Sequence, residues 1–166
     1  NVISTSFWNG EQKANGLVAK ESYIRSSGLI NHIHECAKLS LKQLFDELKK
    51  DTIKCYYGIW NVKGEPKCIL IDAKGLINRK DEFKKLMWEH FQVDSINSNW
   101  DFEEPLIWSM AVGMLLEKAQ GILKNNKMVA HFHEWLAGFS LLYLKTRNSP
   151  IKTIFTTHAT MLGRTI

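Results

Sequence analysis

Two short apolar segments near the end of the chain, each leading into histidine-bearing sequence, constrain the fold more than any other feature. The first segment, residues 127–132, ends within the motif His-Phe-His-Glu-Trp at 131–135. The second, residues 153–156, is followed by Thr-His at 157–158, and a helical segment, 135–145, separates the two. Strand, helix and strand at this spacing predict a right-handed crossover between parallel strands. Because neighbouring parallel strands end at one rim of a sheet, and ligands bind in the crevice at that rim, we expect the functional site there.

The composition indicates one domain with a substantial core, because 45% of the 166 residues are hydrophobic. The net charge of +5 suits a small ligand that carries phosphate. Lysine and arginine are scattered among carboxylates rather than gathered in a stripe, so no nucleic acid partner is expected. No apolar run approaches the roughly 18 residues of a membrane span, so no membrane partner is expected either.

The cysteines and the two ends of the sequence bear on the setting of the chain. Cys36, Cys55 and Cys68 are odd in number and form no Cys-x-x-Cys pair, which indicates neither a disulfide framework nor a cysteine zinc site. With no secretory leader in view, we predict a reducing, cytoplasmic location. The chain begins at Asn1 and stops two residues after Arg164, so we expect it to be a piece of a longer protein.

Periodicity elsewhere predicts an α/β protein. Apolar residues at spacings of three and four predict an amphipathic helix over 29–50 and a shorter one over 81–91. The β-rich runs 55–62 and 67–72, split by Lys-Gly-Glu-Pro, predict a hairpin. Segment 104–123 is apolar all round, which predicts a helix buried against the sheet. The predicted architecture is a mostly parallel sheet with flanking helices and a β-hairpin. At the start of the chain, the sequence of residues 1–30 predicts a loop, with one edge element around 17–24.

A metal site is one interpretation of His-x-His-Glu at 131–134, since two imidazoles and a carboxylate could form part of a zinc site. The same tetrapeptide occurs at 32–35, inside a predicted helix, so the pattern is weak support for a metal. His131 and His133 are alternate residues of the predicted strand, and we expect both to face the rim only if the strand ends between them.

Taken singly, each candidate residue also has an ordinary structural role. His131 is expected to fill the core under the sheet and donate to a backbone carbonyl, whereas His133 and Glu134, nearer the rim, fit a structural or a functional role equally. His158 could bind a ligand, cap the next helix or face solvent. Arg164 could bind phosphate, although a lone arginine is more often a surface residue.

The combination of motifs is more specific than any one of them. The sequence Ala-His-Phe-His-Glu-Trp-Leu-Ala-Gly at 130–138 is followed about 23 residues later by Thr-Ile-Phe-Thr-Thr-His-Ala-Thr-Met-Leu-Gly-Arg at 153–164. This pair closely resembles glycogen synthases of the animal and fungal type, glycosyltransferase family 3. Segments 57–70 and 81–88 resemble a strand-turn and a helix of the same family. The resemblance covers roughly residues 55–166.

The resemblance implies a GT-B glycosyltransferase, in which two Rossmann-like domains face each other across a cleft. It implies transfer of glucose from UDP-glucose to the non-reducing end of an α-1,4-glucan with retention of configuration, without a metal or other cofactor. The family pattern assigns His158 to the donor glucose and Arg164 to the donor phosphates, and an arginine fork matches phosphate oxygens well. It places His133 and Glu134 on the cleft wall, near the acceptor or supporting His158.

Two parts of the family pattern are missing from the sequence. The glycine-rich turn Lys-x-Gly-Gly of the first strand and loop is absent, and so is the second domain. We therefore expect residues 1–166 to be a partial N-terminal domain. Because transfer needs charge stabilisation from both sides of a closed cleft, this piece alone should be inactive and should bind UDP-glucose weakly or not at all. Homo-oligomerisation of the complete protein is left open.

Two alternatives remain at this point. A starch synthase that uses ADP-glucose would share the two histidine segments, but such enzymes usually have Asp-Trp-His where this chain has Glu-Trp-Leu at 134–136. A noncatalytic carbohydrate-binding module would use some of the six tryptophans to stack on sugars. Trp88 and Trp108 fall on apolar helix faces and are expected in the core, whereas an exposed row of Trp8, Trp60 and Trp100 would favour the module.

Overall fold

The computed structural model describes residues 2–5, 17–18, 30–60, 63–65, 67–123 and 128–158. Within these ranges the chain is a mixed α/β structure with two three-stranded sheets. Its elements in chain order are β1 Val2–Thr5, β2 Leu17–Val18, α1 Ile30–Lys50, β3 Lys54–Trp60, β4 Lys67–Asp72, a 3₁₀ helix Lys74–Arg79, α2 Lys80–Phe91, α3 Trp100–Leu123, β5 Val129–His133, α4 Trp135–Thr146 and β6 Lys152–Thr156.

The first sheet is parallel, in the order β1-β5-β6. It confirms the predicted crossover, since β5 and β6 are adjacent and joined by α4, with His133 opposite Thr156. The strand β1 corrects the expectation of loop at the start of the chain: Val2 pairs with Val129 and Thr5 with Phe132. Four residues are too few for alternation to reveal a strand, and a pairing this distant in sequence decides the conformation.

The second sheet is antiparallel, in the order β2-β3-β4. It confirms the predicted hairpin, in which Lys54 pairs with Asp72 and Ile59 with Lys67. The turn contains Gly64 at φ 94°, a left-handed conformation that glycine adopts without a steric cost. Of the predicted edge element, Leu17 and Val18 form β2 beside Trp60 and Ile59; residues 19–24 lie outside the described ranges.

The long helix α3 is the centre of the core. Its Leu106, Met110 and Leu116 are fully buried, as the all-round apolar sequence of this helix predicts. The helix begins at Trp100 rather than near residue 104, and Pro105 therefore lies in its second turn. The predicted helix over 29–50 is confirmed as α1, which contributes the buried Leu44 and Leu48.

Close packing joins α3 to α4 and so fixes the helix behind the rim. The hydroxyl of Ser109 donates to the carbonyl of Leu136 at 2.8 Å, and the hydroxyl of Ser140 donates to the carbonyl of Ser109 at 2.8 Å. Both serines are fully buried. Gly113 faces the ring of Tyr143 so closely that a Cβ at this position would overlap it. The start of α4 is thus tied to the helix at the centre of the core.

Salt bridges join the shorter helix α2 to α3. Glu103, only 6% exposed, accepts from Lys84 at 2.7 Å and from Lys80 at 3.0 Å, and these bonds, from Lys84 first, lower the pKa of its carboxyl group. The expectation that Trp88 packs in the core is wrong, because this side chain is 56% exposed. The helix buries Met87, and the next residue points about 100° further round the helix.

The other tryptophans divide between the core and the surface. Trp108 packs against the core as predicted, and Trp100 is exposed. Trp8 and the side chain of Trp60 lie outside what the structure describes, so the proposed exposed row is not tested. In the described ranges, no helix combines the length and the apolar character needed to cross a bilayer.

Candidate active site

The carboxyl ends of β5 and β6 lie side by side and bring two predicted site residues together. The Nδ1 atom of His133 is 2.8 Å from the Nε2 atom of His158. Their ring centroids are 5.0 Å apart and the ring planes differ by 12°, so with a nitrogen–nitrogen contact this short the rings lie edge to edge. A bond between two imidazole nitrogens needs a hydrogen on one and a lone pair on the other, so the pair shares one proton.

His131 belongs to the same group, which corrects the expectation that it fills the core. It is half-buried, its ring centroid lies 4.0 Å from that of His133, and its Nε2 atom is 2.8 Å from the Thr156 hydroxyl. Both histidines share one face although the strand continues through His133, because alternate strand residues point the same way. The opposite face, with Ala130 and Phe132, is the fully buried one.

Glu134 connects the two strand ends through its backbone and its side chain. Its N–H donates to the carbonyl of Thr156 at 2.9 Å, and its own carbonyl accepts from the N–H of Ala137 at 3.1 Å in the first turn of α4. Its Oε1 atom accepts from the backbone N–H of His158 at 2.6 Å. The residue after β6 is therefore held by a side chain that begins at the end of β5.

The backbone of Glu134 is strained. Its φ of 63° and ψ of 164° fall in a region that is essentially reserved for glycine. A side chain in such a region costs about 1–3 kcal/mol, which the surrounding contacts must offset. Strain of this kind is concentrated at functional sites, so it strengthens the assignment of a site to this rim.

The electrostatic surroundings favour the neutral form of His133. Partial burial, followed by the neighbouring His131 and His158, lowers its pKa below the ordinary value of 6.5, while Glu134 opposes the shift. A neutral His133 keeps one ring nitrogen as acceptor and one as donor, which suits a one-proton bond to His158. The three imidazoles and the carboxylate can exchange hydrogen bonds with a polyhydroxylated ligand at neutral pH.

Not every predicted site residue is described by the structure. His133, Glu134 and His158 are brought together as predicted, whereas Arg164 lies outside the described ranges. Among the described residues, no group of three histidine, cysteine or acidic side chains is placed to hold a metal ion. The sequence interpretation missed Thr156, although its position at the end of β6, two residues before His158, was a usable signal.

Comparison with known proteins gives a consistent family. A family model described as glycogen synthase matches residues 19–166. A glycogen (starch) synthase of Neurospora crassa is 34% identical over 124 residues, covering 75% of this chain and 18% of that protein. That of Dictyostelium discoideum is 36% identical over 117 residues, covering 70% and 13%. The liver protein of Rattus norvegicus is 31% identical over 130 residues, covering 78% and 18%. The chain thus spans less than a fifth of the length of these curated relatives.

Proposed function

Because this chain belongs to the glycogen synthase family, we propose that the complete protein transfers glucose from UDP-glucose to the non-reducing end of an α-1,4-glucan, with retention of configuration. The observation that carries the proposal is the hydrogen-bonded pair of His133 and His158 at the shared rim of β5 and β6. It lies where open parallel sheets bind their ligands.

The proposed architecture is a GT-B enzyme, of which residues 1–166 form part of the N-terminal Rossmann-like domain. The parallel order β1-β5-β6 and the crossover through α4 support it. The rest of the complete protein supplies the glycine-rich turn and the second domain. Without them the site has one wall, so the isolated piece is expected to be inactive.

In the proposed site, His158 contacts the donor glucose and Arg164 binds the donor phosphates. The imidazole of His158 can hydrogen-bond a sugar hydroxyl, and its backbone carbonyl can face the positive charge that develops at the anomeric carbon. The guanidinium of Arg164 matches the phosphate oxygens and stabilises the departing nucleotide.

His133 and Glu134 complete the wall of the cleft, His133 as a substrate-binding residue and Glu134 in support of His158. His133 orients the ring of His158 through the 2.8 Å contact, and Glu134 holds the main chain of the same residue. The net charge of +5 favours approach of an anionic sugar nucleotide. The proposed setting is the cytoplasm, with UDP-glucose and glucan as partners and no cofactor.

The test is transfer of labelled glucose from UDP-glucose to glycogen by the complete protein in the presence of EDTA. His158→Ala should lower transfer by about 10²-fold or more, since it removes a group placed at the reacting sugar. His90→Ala is the matched control, because this exposed histidine lies on α2. The control should keep full activity. Absence of transfer from UDP-glucose, or faster transfer from ADP-glucose, would contradict the donor; full activity of His158→Ala would contradict the site.

A further inference from the structure

The strained residue Glu134 is not explained by the needs of the fold alone. The connection between β5 and α4 contains a residue with a positive φ, and glycine would adopt φ 63° and ψ 164° without a steric cost. A glutamate in this place keeps the strain and adds one thing that glycine lacks, which is a carboxylate. The carboxylate is used, since its Oε1 atom accepts from the N–H of His158 at 2.6 Å.

The surrounding contacts fix the direction in which that carboxylate points. The N–H of Glu134 is bonded to Thr156 and its carbonyl to Ala137, so both peptide groups beside the strained α-carbon are anchored. Two residues further on, the buried hydroxyl of Ser109 donates to the carbonyl of Leu136 at 2.8 Å. The side chain therefore leaves the end of β5 from a fixed base and reaches the residue that follows β6.

We propose that Glu134 is a positioning residue that acts through His158, and that its strained backbone is retained for this purpose. The inference rests on the proposed function, because it assigns Glu134 to the placement of the residue that meets the donor sugar. Holding the N–H of His158 sets the height of this residue above the sheet. It thereby aligns the imidazole with His133 and directs the carbonyl of the same residue.

A positioning role has a different chemical requirement from a role in charge stabilisation. An acceptor oxygen at the right place is needed, and a full negative charge strengthens the bond without being essential. Glutamine presents a carbonyl oxygen at the same reach, so Glu134→Gln keeps the contact in a weaker form. Glu134→Ala and Glu134→Gly both remove the acceptor, but only glycine also removes the strain.

The experiment compares these three variants in the complete protein, with Glu89→Ala as control, since Glu89 is exposed on α2. We expect Glu134→Ala to lower kcat by about 10²-fold, with a KM for UDP-glucose within about threefold of wild type, because no donor contact is lost. Glu134→Gln should stay within about tenfold of the wild-type kcat. Glu134→Gly should match the alanine variant in kcat and exceed it in Tm.

Four results would overturn the proposal. The first is a glutamine variant as inactive as the alanine variant, which would mean that the charge itself is required, and the second is an alanine variant with wild-type kcat. The third is a raised KM with unchanged kcat, which would make Glu134 a substrate ligand, and the fourth is a glycine variant that melts no higher than the alanine variant. Each is read from the same set of proteins.

A second measurement separates this inference from the proposed function. In complete protein labelled with ¹⁵N-histidine, the amide proton of His158 should resonate downfield in wild type and move upfield in Glu134→Ala, because the short bond to a carboxylate is lost. If wild type transferred no glucose but this shift was seen, the proposed activity would fail and the positioning contact would stand. An unmoved resonance would refute the contact whatever the activity.

Discussion

The interface between α3 and α4 and the rim formed by β5 and β6 are both held by hydrogen bonds, but of different kinds. At the interface, two fully buried serines bond to backbone carbonyls, and Gly113 admits the ring of Tyr143. None of these groups titrates near neutral pH. At the rim, the half-buried imidazole of His133 and the exposed imidazole of His158 share a proton, and a strained glutamate holds the next strand end. Close packing and hydrogen bonds between neutral groups hold the interface, whereas the rim depends on a shared proton and a strained backbone.

This difference shows that one face of β5 serves the stability of the fold, while the other face carries the candidate site residues. Along β5, Ala130 and Phe132 are fully buried, while His131 and His133 lie on the other face. Because side chains alternate, one strand supplies the core with apolar surface and the rim with imidazoles. Changes at neighbouring positions should therefore have separable effects.

The largest expected effect comes from alanine substitutions at two adjacent residues of β5 that lie on opposite faces. Phe132→Ala should lower the free energy of unfolding of this domain by about 3–5 kcal/mol, since it leaves a cavity in a fully buried position. His133→Ala, one residue on, should change it by less than about 1 kcal/mol and instead lower glucose transfer. Thermal unfolding and transfer assays on both variants check this; equal losses of stability would show that the two faces are not independent.

A smaller effect should follow from filling the closest approach at the helix interface. Gly113→Ala should cost about 1–3 kcal/mol, because the added methyl group overlaps the ring of Tyr143. Gly121→Ala on the same helix has open space around it and should stabilise by about 1 kcal/mol through helix propensity. Chemical denaturation of the pair measures the difference, and a tolerated Gly113→Ala would mean that the interface can relax.

The smallest effect concerns protons at the rim. The pKa of His133 is lowered in the folded protein, so the unfolded chain takes up a proton more readily as the pH falls below 6.5. Stability from this group is complete above that pH and is lost as the pH falls through the lowered pKa. We expect Tm to decline on the acid side, and less steeply in His133→Gln. Identical pH profiles for the two proteins would exclude a contribution from His133.

The sequence predicted the elements whose signals are local. The crossover β5-α4-β6, the hairpin and the helices α1 to α3 follow from periodicity and turn residues, and the meeting of His133 with His158 follows from the geometry of parallel strands. What could not be predicted depends on distant partners. Strand β1 is defined by its pairing with β5, and the exposure of Trp88 depends on which side of α2 meets α3.

The details of the rim were partly accessible and partly not. Alternation alone could have shown that His131 shares a face with His133, since the two are two residues apart in a strand. The strain at Glu134 had no signal in the sequence, because glutamate gives no indication of a positive φ. Only the joint requirements of two strand ends and a helix start produce that conformation.

The pairing of Val2 with Val129 and of His133 with Thr156 also determines when the rim can form during folding. A chain emerging from the ribosome can complete α1, the β3–β4 hairpin and α2 from nearby segments, but β1 waits for β5 and β5 for β6. Closing the long loop between β1 and β5 is slow and entropically unfavourable, and such contacts tend to form late. The parallel sheet that carries the site is thus among the last parts of this region to be completed in the nascent protein. Until β1 pairs, β5 has an open edge available to a chaperone or to a wrong partner.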